Sequence, residues 1–523
     1  MLQLRHCGSS GILRVWITVV ALGATTSMAC AGQVAAQNGG QAPAPSANQA
    51  PMTKEQAKEL FRSVDEILSF VSNDTKLPIV HSVKRKLISR DEVTRYLKEK
   101  FDEDESAKRM ERSEIVLKKF GLLDRDFHLR PFLVTLLTEQ IAGFYDNKTK
   151  AVNLLDWIEP EEQKPVLAHE LTHALQDQKV GLTKWSDMSV NGTARNVQED
   201  NHHLQMDEAE TARSAVAEGQ AMAVFIDYTL RSTGKTLADA PALGGKLKDM
   251  VGDTSGSPVL ARAPLLLQQS LLFPYSEGLS FEQAILVKGG RQAAFADVLA
   301  NPPSSSFEIM HPAAYMAHAP VPVLRLPDIH PLLDAEYTPY DLGVMGELDV
   351  RILTELFGGG EMADALAPAW NGGVYYAAQR KSAVTAAEKE STASLGLLYY
   401  SQWKNADSAR SFLNIYAAQI PRKYSKVMRR PKDEADGSEQ IYSTSEGDVL
   451  LSISGTGVFI GEGFSLPLAR KLRDSIASVQ SSGPLKIAGV ELHEPALDMS
   501  RALSSFGMIN ASSLKRYTSM GHP

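Results

Sequence analysis

His169-Glu170-Leu171-Thr172-His173, inside the longer run from Pro160 to Gly181, is the stretch whose reading decides the rest of the chain. Pro160, Glu161 and Glu162 suit a helix start, where a missing N–H is harmless and negative charge favours the dipole. Val166, Leu167, Leu171, Ala174 and Leu175 recur at helical spacing, and Gly181 is a stop signal. On such a helix a separation of four residues puts both imidazoles on one face, where they can share one Zn²⁺. Glu170 stands beside them, within reach of a water on the ion. A catalytic zinc takes neutral nitrogen ligands and keeps a position open for water. A nearby carboxylate takes the proton as that water attacks a carbonyl. The helix is therefore expected to carry hydrolytic metal chemistry, with His169 and His173 as ligands and Glu170 as the base.

Two histidines need a third protein ligand. Lys179 stands where a third His of a longer motif would be, and Asp177 lies another turn along, where it is expected to cap or pair locally. Glu218 is the better candidate. It sits in a small-residue helix from Thr211 to Phe225, and a carboxylate amid so many alanines needs a partner when buried. Ala215, Gly219 and Ala221 let another helix come close, and a glycine inside a helix costs about 1 kcal/mol, which invites a packing reason. Glu208 and Glu210 are the alternatives, in a more polar stretch.

This pair of motifs resembles the gluzincin arrangement of zinc metallopeptidases, in which His-Glu-x-x-His is followed on a later helix by a ligating Glu. The resemblance implies a zincin-like fold, with His169, His173 and Glu218 holding Zn²⁺ and Glu170 as general base. The Asn-Glu-x-x-x-Asp pattern of the thermolysin-like members is missing, and Met222 stands where their Asp orients a ligand His. Gly143-Phe144-Tyr145-Asp146 through Glu218-Gly219-Gln220-Ala221 also looks like uncharacterised bacterial and archaeal secreted proteins of this type. The likeness extends to Asn301-Pro302-Pro303 and to the run from Phe307 to Pro312. Gluzincins commonly use Tyr or His to stabilise the oxyanion. Tyr275, His311 and Tyr315 are the candidates here, with His311 preferred.

Ile141–Tyr145 and Ala151–Leu155 flank the turn-forming run Asp146-Asn147-Lys148-Thr149-Lys150, so a β-hairpin is expected just before the metal helix. Its edge can pair with an extended peptide.

Positive charge at Arg5, His6 and Arg14, an apolar core from Val15 to Leu22, and small residues at Ala29-Cys30-Ala31 or Val34-Ala35-Ala36 mark residues 1–36 as an export signal. Periplasmic or extracellular placement follows. Cleavage there removes both cysteines, Cys7 and Cys30, and with them any disulfide or Cys-ligated metal. A competing reading takes Ser27-Met28-Ala29-Cys30 as a lipoprotein box, anchoring the chain through a lipid on Cys30. A net charge of −8 and a pI near 5.9 show no basic footprint for nucleic acid, and no later segment is apolar enough to span a membrane.

Residues 37–52 read as a flexible linker, and residues 53–135 as a helical N-terminal region with an apolar stripe from Leu60 to Val71. Residues 136–335 hold the catalytic core, with a polar loop over 182–206 that includes His202 and His203. Residues 340–495 read as a small α+β domain, and 496–523 as a tail. The expected fold is α+β: a mainly helical zincin-like core with a small hairpin or sheet, plus the smaller C-terminal α+β domain. The expected function is a secreted zinc metallopeptidase, an endopeptidase acting on protein or peptide substrates. A non-catalytic envelope scaffold or binding protein with a structural zinc site is the alternative.

Overall fold

The computed structural model describes residues 16–19, 52–101, 104–187, 196–239 and 257–480. Of the expected signal segment only Trp16–Val19 falls within these; Cys30 and the tail from 496 lie outside. The described residues all belong to one compact unit that ends at Gln480. The architecture is mixed α and β, mainly helical, with two sheets. Among the described residues no helix is long and apolar enough to cross a membrane.

The first sheet has four strands in the order β1-β3-β4-β2. The strands are β1 (Trp16–Val19), β2 (Lys84–Ile88), β3 (Ile141–Asp146) and β4 (Ala151–Leu155). β3 and β4 form the expected hairpin, with Asp146 Oδ1 accepting from the N–H of Lys148 and Lys150 taking the left-handed conformation that closes the turn. β1 lies antiparallel on the outer edge of β3, pairing Trp16 with Tyr145 and Ile17 with Phe144. β2 runs parallel to β4, Lys84 opposite Ala151 and Ile88 opposite Leu155. The N-terminal region reads as helical from its sequence, and the structure adds this strand to its helices. Its Lys-Arg-Lys start suits a sheet edge, where charge blocks further pairing.

Helices α1 (Lys54–Thr75), α2 (Arg90–Phe101), α3 (Asp104–Phe120) and α4 (Leu129–Gln140) precede the hairpin. The expected stripe of α1 is buried at Leu60, Val64, Ile67, Leu68 and Val71, and Thr53 and Gln56 close a reciprocal N-cap. Next come α5 (Pro160–Val180), α6 (Leu182–Ser186), α7 (Val197–Met206), α8 (Ala209–Leu230) and α9 (Leu265–Arg291). α7 replaces part of the loop expected over 182–206; Asn196 caps it by accepting from the N–H of Glu199. Positions 166–177 of α5 and 215–224 of α8 are buried on all sides, so both are core helices rather than surface ones.

Glycine sets how α8 meets α9. A Cβ on Gly219 would stand 2.2 Å from the carbonyl oxygen of Gly278, and one on Gly278 would stand 2.2 Å from that of Ala215. The two backbones touch directly, which is the packing reason for a glycine in mid-helix. α9 ends beyond Gly290 (φ 73°), and residues Gln292–Asp297 continue as a π-helical turn. Two short helices, α10 (Ser306–Met310) and α11 (Pro312–Met316), follow.

The second sheet holds seven antiparallel strands in the order β5-β6-β7-β11-β10-β9-β8. They are β5 (Tyr337–Val344), β6 (Trp370–Arg380), β7 (Leu395–Trp403), β8 (Met428–Arg429), β9 (Glu439–Thr444), β10 (Gly447–Ser454) and β11 (Gly457–Glu462). Between β5 and β6 runs α12 (Glu347–Gly358), and α13 (Ala406–Lys423) and α14 (Leu466–Gln480) complete this part. Alternate residues face opposite sides. Leu397, Tyr399, Val449 and Leu451 pack with Phe412 and Tyr416 of α13, whereas Leu398, Tyr400, Leu450 and Phe459 pack with Leu472 and Ile476 of α14. The α13 face belongs to the same apolar core as Leu167 and Leu171 of α5 and Phe120 of α3. Phe120 meets the rings of Tyr375 and Tyr399 edge-on.

Candidate metal centre

α5 and α8 bring three ligand atoms to one point. His169 Nε2 lies 3.1 Å from a carboxylate oxygen of Glu218 and 3.1 Å from His173 Nε2, and His173 Nε2 lies 3.4 Å from the same oxygen. Ligands held about 2.1 Å from one ion in a tetrahedron stand about 3.4 Å from each other, so this triangle has the size a divalent cation requires. Among the described residues no other set of three His, Cys, Asp or Glu side chains converges in this way. The donor set of two imidazoles and one carboxylate therefore fits a metal ion.

The setting is dry. His169, Glu170 and His173 have no exposed surface and Glu218 keeps 4 %. Burial pushes His169 down to about 4, against a hydrogen bond to Glu218 that favours its charged form. Burial works against ionisation of Glu218, but the neighbouring imidazoles of His173 and His169 outweigh it and hold the carboxyl at about 2. Neutral imidazole and ionised carboxylate are the forms that ligate.

Glu170 is anchored by the hairpin. One of its oxygens accepts the backbone N–H of Tyr145 in β3 at 2.7 Å. β3 comes this close because position 143 is glycine: a Cβ there would meet Val166 Cγ1 at 3.2 Å. The hairpin strand and the helix bearing the motif are thus joined through the carboxylate itself.

The other candidates divide. Asp177 caps locally by accepting from the N–H of Leu182 at 3.0 Å, but it also reaches the hairpin, accepting from Tyr145 Oη at 2.8 Å and Lys150 Nζ at 2.5 Å. Glu208 accepts from the hydroxyls of Ser305 and Ser306, away from the ligand set. His203 is buried on α7, 3.9 Å from Asp207. His311, the preferred oxyanion residue, instead pairs its Nε2 with Glu347 of α12 at 2.7 Å and does not join the ligand group. The His-Pro step ends α10 and starts α11, which directs the imidazole toward α12. Tyr315 donates its hydroxyl to the carbonyl of Asn301 at 2.6 Å. Only Tyr275 lies beside the ligands, its ring nearly parallel to that of His169 with centroids 6.4 Å apart.

One contributor was not anticipated. Gln176 Oε1 lies 2.9 Å from His173 Nδ1, the nitrogen turned away from the ligand point. It stands three residues after His173, so helical spacing was an available signal. The chain matches no family model, no curated protein and no solved structure.

Proposed function

We propose that this chain is a zinc-dependent peptidase of the gluzincin type with a zincin-like core. The observation that carries the reading is the convergence of His169, His173 and Glu218 within 3.1–3.4 Å, with Glu170 next to His169 on the same helix. A zinc ion held there supplies Lewis acidity toward a carbonyl oxygen and toward water. Glu170 takes a proton from the attacking water and passes it to the leaving amine. The N–H of Tyr145 fixes the direction of that carboxylate. Tyr275, beside His169, is the residue best placed to steady the substrate oxygen. The antiparallel pairing of Trp16–Val19 on β3 supports an extended peptide as substrate, since this edge carries an added strand through main-chain groups.

Export rests on the composition of residues 1–36. We place the working protein in the periplasm or outside the cell, with a lipid on Cys30 as the alternative; N-terminal sequencing and mass of the exported chain separate the two.

The test is metal content and cleavage of casein or a peptide library by wild type and Glu170→Gln. One zinc per chain, with cleavage lost in the variant and the ion retained, is expected. Full turnover by Glu170→Gln, or a wild type that takes up no metal, overturns the reading.

A further inference from the structure

The hydrogen bonds behind His173 can be oriented without ambiguity, because their far end is backbone. A peptide carbonyl only accepts. Gln220 reaches the carbonyls of Ala294 at 2.8 Å and Phe295 at 3.3 Å, so the atom it presents to them is its NH₂ group. Its oxygen therefore faces inward, where it accepts from Gln176 Nε2 at 2.8 Å. The same Gln176 nitrogen donates to the carbonyl of Ala217 at 3.0 Å, a second backbone acceptor that fixes this amide the same way round. Gln176 is then left with its oxygen toward His173 Nδ1 at 2.9 Å, and that nitrogen must carry the proton. In its neutral form His173 then holds its lone pair on Nε2, aimed at His169 and Glu218. All three side chains are fully buried, so water does not compete for these bonds.

We propose that Gln176 and Gln220 form an amide relay that locks His173 in its Nδ1–H tautomer and makes it a ready ligand for a divalent cation. Both are positioning residues, and the relay rests on the metal-binding part of the proposed function. It joins three elements: α5 supplies His173 and Gln176, α8 supplies Gln220, and the π-helical turn Gln292–Asp297 presents the carbonyls that anchor it. A turn with i→i+5 bonding displaces the backbone from α-helical register, which suits it to presenting carbonyls sideways. The acceptor on His173 is neutral. A carboxylate in its place would add a second buried negative charge next to Glu218. With an amide there, the ligand set carries a single negative charge before any cation binds.

Two measurements on the full chain test the relay. The first is nitrogen NMR of the metal-free protein with labelled histidine, the His173 signals assigned by their loss in His173→Gln. A proton on Nδ1 and a bare Nε2 are expected, and a proton on Nε2 would overturn the proposal. This readout needs neither metal nor activity, so it stands even if the protein cleaves nothing. The second is Zn²⁺ and Co²⁺ affinity by chelator competition, with the Co²⁺ visible spectrum. Gln176→Met, which cannot accept from His173, should weaken binding by about 10–100-fold. Gln220→Met touches no ligand and should weaken it in the same direction by a smaller factor. Gln176→Glu restores an acceptor and should recover affinity relative to Gln176→Met. Wild-type affinity and an unchanged spectrum in Gln176→Met would overturn the relay. If that variant does not fold, the wild-type tautomer and Gln220→Met decide.

Discussion

Glu218 and Glu462 are both carboxylates buried where elements meet, and they are held in opposite ways. Around Glu462 every partner donates: Lys423 Nζ and Tyr416 Oη at 2.5 Å, with Tyr424 Oη completing the set. Burial works against its charge, but the ammonium groups of Lys423 and Lys119 prevail and keep it below the ordinary carboxylate range. Around Glu218 the partners are imidazole nitrogens, and the one the relay defines, His173 Nε2, offers a lone pair rather than a proton. A carboxylate ringed by donors is complete and structural. On the reading proposed above, one that faces a lone pair is completed by a cation between them. Burial alone does not distinguish the two; donor and acceptor chemistry does. Glu282 on α9 marks the limit of the series. It is fully buried, neither of its oxygens has a hydrogen-bond partner among the described residues, and burial drives its carboxyl well above the ordinary range.

That contrast can be broken at several points. The largest effect belongs to Glu170→Gln, which should cut turnover by about 10²–10⁴-fold while zinc remains bound, read by initial rates beside metal analysis. Next is Glu462→Ala. Removing one partner of a buried ion pair leaves Lys423 uncompensated and should cost about 3–5 kcal/mol in denaturant unfolding. Metal affinity should hardly change. Glu218→Ala should do the reverse, abolishing metal binding with a much smaller change in the metal-free melt. If both variants lose metal and stability alike, the distinction between the two carboxylates collapses.

Gly219→Ala should cost about 1–3 kcal/mol, because its Cβ would force α8 and α9 apart. Glu218 rides on α8 next to that contact, so metal affinity should fall as well; an unaltered melt would show that the helices separate freely.

The last effect is a pH dependence at Glu282. Its folded pKa lies above the unfolded value of 4.5, so the native state keeps a proton that the unfolded chain gives up. Stability should therefore fall as pH rises from that value toward the folded one, by up to about 1.4 kcal/mol per unit. Glu282→Gln removes this loss, so the variant should melt higher than wild type at pH 8 and nearly equal to it at pH 4. A gain that does not grow with pH would mean the side chain is paired after all.

Much of the local structure could be read from residues alone. The hairpin over 141–155 follows from turn chemistry between two apolar runs, and the stretch after 340, read as a mixture of strand and helix, holds both. β2 could not be read, because Lys-Arg-Lys has no strand signature until β4 lies beside it. α7 was hidden by its polarity, since only its N-cap and a few buried positions mark it. Glutamines such as Gln176 and Gln220 are mostly surface residues, and nothing in their composition announces a buried pair.

The sequence by itself determined that His169 and His173 share a helix face, with Glu170 between them in the chain, because 3.6 residues per turn leaves no other arrangement once the helix forms. It also marked Glu218 as a carboxylate in need of a partner. Whether Glu218 reaches the imidazoles depends on packing, on a glycine contact between α8 and α9 and on a hairpin pressed against α5. The setting of His311 is decided in the same way: its neighbour, Glu347, lies 36 residues away along the chain. Periodicity fixes geometry within one element. The meeting of elements is set by how their surfaces fit, and that only the tertiary structure decided.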